Sequence, residues 1–264
     1  MKKNLTIVSC LVLLFLAGAC KSQYEMLLSS VDADAKYQAA FDYYNQGKYN
    51  KAAQLFESLS VLTSGTPRDD TVQFYWGMSN YRYKDYYTAQ SNFESYISRF
   101  PKSAFTERAS FLRLDCLYRS TLRYELDQSN TYTTISAITD FIREYPNSEH
   151  LEECARITEE LNARLNRKAF ENAKIYYTME DYKAAGVALR NVLKDNSENI
   201  YREEILYYIA MSSYKYASNS VPAKQKERFL VFRDDYLNFV GEYPESAHRA
   251  ELDRLYGRLR DIEK

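Results

Sequence analysis

A short proline-containing segment recurs three times along the chain and constrains its fold more than any other feature. Residues 96–103, 141–148 and 239–246 each read aromatic, β-branched, two variable residues, aromatic, Pro, one variable residue, Ser. Proline lacks a backbone N–H and disfavours α geometry in the residue before it, so it ends a helix. The serine two residues later predicts the N-cap of the next helix. The three segments therefore predict hinges between consecutive helices.

The composition agrees with helices that are joined by few tight turns. Only 7 Gly and 5 Pro occur among 264 residues, beside 26 Tyr. That scarcity argues against a Gly-rich disordered linker, a collagen-like chain and a β-barrel with many tight turns. The formal net charge is −1, and no dense cluster of Lys and Arg is present to form a basic face. We therefore expect no nucleic-acid partner.

A second repeated pattern lies between the hinges. A turn and a tyrosine are followed by a small Ala and then by a large apolar residue, at offsets that place them on one helix face. This pattern resembles the second half of a tetratricopeptide (TPR) repeat, in which the Ala lets helix B approach helix A. The resemblance implies an all-α TPR solenoid of about five helix-turn-helix repeats with a C-terminal capping helix. The pattern occurs at Gly47-Lys48-Tyr49 with Ala52 and Phe56, at Lys84-Asp85-Tyr86 with Ala89 and Phe93, and at Glu180-Asp181-Tyr182 with Ala185 and Leu189.

The repeats predict two groups along the chain. We assign repeats 1–3 to residues 36–148, and a long connecting helix, repeats 4–5 and the capping helix to residues 149–264. Residues 149–179 contain no Gly or Pro, which predicts one long helix or two with a kink near Asn166. Longer segments are expected between the helices of the third and fifth repeats, at residues 120–131 and 217–226. Leu252, Leu255 and Leu259 form the apolar stripe expected of the capping helix.

The first twenty residues read as an export signal. Two lysines precede an apolar run of about a dozen residues, which is too short for a spanning helix. Ala17, Gly18 and Ala19 then stand directly before Cys20 and resemble a bacterial lipobox. We interpret residues 1–19 as a lipoprotein signal peptide, Cys20 as the lipidated residue and residues 20–35 as a lipid-anchored N-terminal tether. The alternative is an ordinary cleavage site beside an unmodified cysteine.

Residue types that carry catalysis are scarce. His150 and His248 each follow a hinge serine by two residues and are not at metal-ligand spacing. The sequence has no G-x-S-x-G, Walker-type, G-x-G-x-x-G or CxxC motif. Cys116 and Cys154 lie among apolar helical residues, which favours buried thiols, although export to an oxidising compartment leaves a disulfide open. We therefore expect no enzymatic activity, no cofactor and no metal site.

Aromatic residues mark a candidate peptide groove on the first two repeats. Tyr and Phe offer a large contact area at a low entropic cost, and Tyr adds a hydrogen-bonding group. The alternative is that these rings pack between helices. The helix A positions that face the concave side of a TPR array are Tyr37, Phe41, Tyr44, Phe74, Met78 and Tyr81.

The lipobox, the five TPR-like units and the segments at residues 126–131 and 219–225 together make the chain resemble the BamD family, particularly its Bacteroidota form. The resemblance covers essentially the whole mature chain. It implies a lipid-anchored subunit of the outer-membrane β-barrel assembly machinery, on the periplasmic face of the outer membrane. In that family the protein binds the POTRA region of the barrel protein BamA and receives unfolded outer-membrane proteins.

The resemblance also divides the repeats by role. By analogy the front repeats receive the substrate peptide, and the back repeats face the BamA-like partner through Tyr182, Arg190 and the 217–226 segment, which includes Lys224. Residues 21–23 lack the acidic pair of surface-export signals, which favours the periplasmic side. The alternative function is that of a TPR lipoprotein acting as a pilotin or as a cell-wall coordinating scaffold.

Overall fold

The computed structural model describes residues 23–262, and within that range all regular structure is helical. The all-α class predicted from the repeats is confirmed for this part of the chain. The helices in chain order are α1 (Gln23–Ser29), α2 (Ala33–Asn45), α3 (Tyr49–Leu62), α4 (Asp69–Tyr83), α5 (Tyr86–Arg99), α6 (Thr106–Arg119), α7 (Ser129–Glu144), α8 (Leu151–Thr178), α9 (Tyr182–Asp195), α10 (Arg202–Ser218), α11 (Pro222–Glu242) and α12 (Arg249–Ile262).

The chain divides into two compact units. Unit 1 contains the described residues up to Thr121 together with Asn130–Glu152. Unit 2 contains Leu122–Ser129 and the residues from Glu153 onward. In each unit most helix contacts join neighbours in sequence, as in a stack of helical hairpins.

Unit 1 is built around two adjoining apolar clusters. The cluster of the first hairpin is formed by α2 and α3 with the start of α4, and the cluster of the second by α4, α5 and α6. Ala52 and Ala89 are fully buried, which confirms the predicted close approach of helix B to helix A. The buried residues of the first cluster are Ala40, Ala52, Leu55, Phe56, Leu59 and Val72, and those of the second are Phe74, Met78, Ala89, Phe93, Tyr96, Ala109, Leu112 and Cys116.

The turns between helices A and B share one backbone conformation. Gly47, Lys84 and Glu180 all have positive φ, at 73°, 69° and 62°. Glycine adopts this left-handed region without strain, whereas the other two residues occupy it at a cost. The aspartates that follow, Asp85 and Asp181, each accept a hydrogen bond from a first-turn N–H, at 3.1 and 3.0 Å. These caps stabilise the helices that begin at the two strained turns.

The three proline hinges are alike, but their serines are not helix N-caps as predicted. Ser103, Ser148 and Ser246 each accept a hydrogen bond from the N–H two residues later, at 3.1, 3.2 and 3.0 Å. This is a serine turn, in which the hydroxyl closes a local loop before the helix starts. The helices that follow begin three residues after each serine, at Thr106, Leu151 and Arg249.

Residues 151–178 form one uninterrupted helix, α8, which is the first of the two predicted alternatives. The segment before α7 packs against α8 within unit 2. Lys168 Nζ donates to the carbonyls of Tyr124 and Leu126 at 3.0 and 2.7 Å, and Arg164 Nη1 donates to the carbonyl of Leu122 at 2.8 Å. The longer segment expected in the third repeat is therefore a docked loop.

The core of unit 2 is closed by α12. Leu252, Leu255 and Leu259 are buried in its cluster, which confirms the predicted capping helix. The prediction of a longer segment between helices at residues 217–226 is wrong. Helix α10 ends at Ser218 and α11 begins at Pro222, so only residues 219–221 lie between them. Pro222 is the first residue of α11, where its missing N–H and fixed φ suit a helix start.

Candidate functional site

Two residues of the predicted groove in unit 1 belong to the core. Phe74 and Met78 are only 1% and 6% exposed. The Phe74 ring is stacked on Phe105, with centroids 4.5 Å apart and an interplanar angle of 11°. Because Phe105 comes from the next hinge, the neighbouring repeat covers the face that was expected to be open. The assignment of Phe74 and Met78 to an accessible groove is therefore wrong.

The other four groove residues are partly exposed, but their rings also pack. Tyr37 and Phe41 lie 4.9 Å apart between ring centroids, and Arg68 lies 4.8 Å above the Tyr37 ring. Tyr44 packs against both clusters of unit 1. Burial raises the pKa of Tyr44. These side chains offer ring edges rather than a deep channel.

The hydroxyl of Tyr81 is already engaged within the fold. It donates to Asp115 Oδ2 at 2.5 Å, and Arg119 Nε pairs with the same oxygen at 2.5 Å. Burial, together with the hydrogen bond to Asp115, raises the pKa of Tyr81. Tyr81 therefore contributes its ring to a surface but has no spare donor for a peptide.

Tyr75 was missed by sequence reasoning and lies at the centre of the aromatic surface. Its ring is 4.8 Å from Phe41, 5.2 Å from Tyr44 and 5.6 Å from Phe74. It joins the partly exposed rings of the first repeat to the buried ring of the second. Its position directly after Phe74 placed it outside the apolar stripe, and only the packing of α2 against α4 reveals its role.

A cleft of about 170 Å³ opens in unit 2 between α9, α10 and α11. Two of the residues predicted to bind a partner, Tyr182 and Arg190, line it. Gly186 forms part of its wall, and its carbonyl accepts a hydrogen bond from Arg190 Nη1 at 3.1 Å. The lining residues are Tyr182, Lys183, Gly186, Val187, Arg190, Ser213, Tyr216, Arg228 and Val231.

Two arginines give the cleft its polar character. Arg190 Nη2 pairs with both carboxylate oxygens of Asp235, at 2.7 and 2.6 Å. The Arg228 guanidinium lies 4.0 Å over the Tyr216 ring and donates to the Ser220 hydroxyl. Among the described side chains of residues 23–259 no carboxylate lies within ion-pair distance of Arg228, so its charge is available to an acidic partner.

The rim of the cleft is apolar. Val187 and Val231 are 56% and 47% exposed. A neighbouring depression shares Lys183 and Val187 and extends the surface to Tyr176 on α8. Exposed aliphatic and aromatic side chains around convergent arginines are typical of protein docking surfaces. Lys224, the third predicted partner residue, is exposed on the first turn of α11 and does not line the cleft.

Both histidines are stacked on aromatic rings, and both described cysteines are buried in the fold. His150 stacks on Phe111 at 3.8 Å, and His248 stacks on Tyr207 at 4.1 Å. Cys116 and Cys154 are free, buried thiols, so no disulfide joins them. Burial raises the pKa of Cys116 to about 12 and also raises that of Cys154. Among the described side chains, those of residues 23–259, no group of three or more His, Cys, Asp or Glu could hold a metal ion.

The structure describes the N-terminal segment only from residue 23 onward. Cys20 and residues 1–19 lie outside the described residues. The segment assigned as a tether contains α1 and the start of α2, and α1 contacts both α2 and α3. No helix in the described part of the chain is long and apolar enough to cross a membrane.

A family model of outer membrane lipoproteins, YfiO, matches residues 30–230. The chain belongs to the YfiO family. The outer membrane protein assembly factor BamD of Caulobacter vibrioides is 21% identical over 206 residues. That alignment covers 78% of this chain and 66% of the relative, so the chain spans just under two thirds of the relative's length. The resemblance to BamD inferred from the sequence is thereby confirmed.

Among solved structures, a thermophilic TPR protein of Thermus thermophilus aligns over 85% of this chain and 98% of its own. The sequence identity is 16% and the TM-score is 0.33. The YfiO match includes the aromatic surface of unit 1 and all of α9 and α10. The match ends at residue 230. Val231, which lines the cleft, and Asp235, which pairs with Arg190, therefore lie beyond it.

Proposed function

We propose that the protein is a lipid-anchored, non-enzymatic subunit of an outer-membrane β-barrel assembly machine, held at the periplasmic face of the outer membrane through acylated Cys20. Membership of the YfiO family over residues 30–230 carries this proposal. The relative from Caulobacter vibrioides is named an outer membrane protein assembly factor. The signal and lipobox pattern of residues 1–20 supports the anchor.

The cleft of unit 2 is the proposed docking site for the POTRA region of a BamA-like barrel protein. Its rim offers exposed aliphatic area, and Arg190 and Tyr182 are residue types that dominate binding energy at interface centres. Arg190 keeps 43% of its side chain exposed while it pairs with Asp235. An acidic group of a partner can therefore meet the guanidinium without first breaking a buried ion pair. Lys224, which is exposed on the first turn of α11, is a further proposed contact for the same partner.

The aromatic surface of unit 1 is the proposed site for unfolded outer-membrane proteins. Tyr37, Phe41, Tyr44 and Tyr81 remain partly exposed, and Tyr75 lies among them. Barrel strands alternate apolar and polar side chains, and tyrosine rings with free edges accommodate such segments without a fixed register. Phe74 and Met78 are not part of this surface.

Affinity purification of the tagged protein from membranes of its native host, followed by mass spectrometry, tests the proposal directly. Stoichiometric recovery of a large outer-membrane barrel with POTRA domains is the expected result. Recovery of pilus or cell-wall proteins without such a barrel would replace the proposal with the pilotin or scaffold alternative. Mass measurement of the mature N-terminus tests the anchor, and an unmodified residue 20 would exclude it.

The docking site is tested by Arg190→Ala. We expect the affinity for the POTRA region to fall roughly 30-fold or more, the size of a central interface contact. Arg233→Ala is the matched control, because Arg233 lies on α11, pairs only with its exposed neighbour Asp234 and does not line the cleft. Titration calorimetry of both variants measures the difference. Equal affinities for the two variants would exclude Arg190 from the interface.

A further inference from the structure

The corner of unit 1 formed by α1, α2 and α3 carries two tyrosines and two lysines: Tyr24, Tyr43, Lys48 and Lys51. We infer that this Tyr–Lys corner contacts the anionic lipid headgroups of the membrane that holds the anchor. The inference rests on the proposed acylation of Cys20. It adds a second attachment, made by the folded domain itself.

The four side chains form one compact group. The Tyr24 and Tyr43 rings meet edge to face, with centroids 5.5 Å apart. Lys51 Nζ lies 5.0 Å from the Tyr24 centroid and 5.4 Å from the Tyr43 centroid. Lys48 Nζ lies 5.6 Å from the Tyr43 centroid and donates to the amide oxygen of Gln46 at 2.8 Å. The rings therefore hold both ammonium groups on one exposed surface.

Neither lysine of the corner is neutralised within the fold. In the described part of the chain, no carboxylate lies within 4.0 Å of Lys48 Nζ or Lys51 Nζ, whereas many arginines of the protein are paired. Both lysines are exposed. Their positive charge is consequently directed outward and available to a negatively charged surface.

Helix α1 is fixed to the first hairpin and is not a free leader. The Tyr24 hydroxyl donates to Gln54 Oε1 at 2.9 Å. At the other end of α1, Lys36 Nζ donates to the Leu28 carbonyl at 3.1 Å and to the Ser58 hydroxyl at 2.7 Å. Lys36 is only 1% exposed, so this contact is shielded from water. The start of α1 therefore moves together with α2 and α3.

The covalent distance from the anchor to α1 is short. Three residue steps separate Cys20 from Gln23, the first residue of α1, and a fully extended chain spans about 11 Å over that length. An acylated Cys20 lies at the membrane surface, so the start of α1 lies within about 11 Å of it. Tyr24 is the next residue. The Tyr–Lys corner is thus held within reach of the headgroup layer.

Tyrosine and lysine are the residue types that suit this position. Tyrosine rings prefer the membrane–water interface, and each lysine near an anionic leaflet adds to the attraction. The corner combines both types beside the lipid-bearing end of the chain. The ligand is a lipid headgroup rather than a free phosphate ion, because a free ion would gain nothing from the adjacent rings or from the short covalent distance.

The test uses the acylated protein in vesicles of phosphatidylglycerol and phosphatidylethanolamine, with a fluorophore at Asn50→Cys and a nitroxide on a fraction of the headgroups. Asn50 is exposed beside Lys51. The native thiols stay unlabelled at pH 7, because both are buried and their pKa values are raised. Nitroxide quenching of the fluorophore reports the fraction of molecules in which the corner is docked.

We expect Lys48→Gln with Lys51→Gln to lower the ratio of docked to undocked molecules about 30-fold, from the attraction of two lysines near an anionic surface. The matched control is Lys102→Gln with Lys194→Gln, which removes the same charge from exposed positions outside the corner and outside the proposed docking site. It should leave the quenching unchanged. Raising the salt concentration from about 0.01 to 1 M should undock the native corner, because the screening length shrinks roughly tenfold.

Flotation of the same vesicles separates this inference from the proposed anchor. If the protein fails to float, the anchor is wrong and the inference falls with it. If the protein floats but the quenching is the same in the Lys48/Lys51 variant as in the control, the anchor stands and headgroup docking is overturned. Equal quenching in neutral phosphatidylcholine vesicles would overturn it as well.

Discussion

The aromatic surface of unit 1 and the cleft of unit 2 are both built from helical hairpins, but the space between helices is filled in the first and open in the second. In unit 1 the rings are numerous, and they fill the space between repeats: Phe74 stacks on Phe105 and Tyr75 contacts Phe41, Tyr44 and Phe74. In unit 2 the space beside α9 is left open and is bordered by exposed valines and two arginines. A high tyrosine content therefore indicates packing here more than it indicates an open groove.

The two glycines that face these regions show the same contrast. A Cβ added at Gly77 would lie 2.8 Å from the ring of Phe93, which is fully buried. A Cβ added at Gly186 would lie 3.1 Å from the end of the Arg190 side chain and at an ordinary contact distance, 3.9 Å, from Ser212 Cβ. The first glycine is required by a closed core, whereas the second borders a cleft in which a side chain can move.

The largest effect is expected from Phe74→Ala. Removing a buried ring that is stacked on Phe105 should lower the free energy of unfolding of unit 1 by about 3–5 kcal/mol. Tyr37→Ala, at a partly exposed ring of the aromatic surface, should lower the free energy of unfolding by only about 1 kcal/mol. Urea unfolding followed by the fluorescence of Trp76, the one tryptophan of the protein, measures both. Similar costs for the two variants would mean that Phe74 is accessible after all.

A smaller effect should separate Gly77→Ala from Gly186→Ala. The first should destabilise the protein by about 1–3 kcal/mol, because the Phe93 ring has no room to shift. The second should be neutral or stabilising by up to about 1 kcal/mol, because alanine favours the helix and the Arg190 guanidinium can move. Thermal unfolding followed by circular dichroism compares them. A loss of stability at Gly186 as large as that at Gly77 would show that the cleft is packed in solution.

The fold could be predicted in large part from short repeated signals. The proline hinges, the turns at Gly47, Lys84 and Glu180 and the leucine stripe of α12 act locally, so one sequence suffices to place them. The errors are of two kinds. Pro222 was interpreted as part of a loop although proline also begins helices. The burial of Phe74 depends on Phe105, which lies 31 positions later, and periodicity identifies a helix face without identifying what covers it.

The candidate sites were less predictable for the same reason. Tyr182 and Arg190 were named from a family resemblance, and the structure places both in one cleft. The partners that make it a cleft, such as Tyr216 and Arg228, come from two other helices. No spacing along the chain indicates that these residues meet. The Tyr–Lys corner likewise depends on the packing of α1 against α3, which no repeat signals.

The smallest effect concerns pH and compares a tyrosine of each unit. Tyr236, in unit 2, donates to Asp253 Oδ1 at 2.7 Å, and burial together with this bond raises its pKa to about 12. Tyr96, in unit 1, donates to Asp70 and lies within hydrogen-bond distance of the Ser103 hydroxyl, and burial raises its pKa as well. A tyrosine has a pKa near 10 in the unfolded chain. Both groups therefore favour the folded state fully below about pH 10, and that contribution is lost as the pH rises further.

Tyr236→Phe should make the free energy of unfolding fall less steeply between about pH 10 and 12, by about 1 kcal/mol per pH unit, because one proton-linked group is removed. Urea midpoints measured by circular dichroism across this range give the slope. Tyr87→Phe is the matched control, since Tyr87 is highly exposed and its removal should leave the slope as it is. If both variants follow the native slope, the hydroxyl of Tyr236 titrates as freely in the folded protein as it does in the unfolded chain. The closure of unit 2 around α12 would then be looser than the contact between Tyr236 and Asp253 implies.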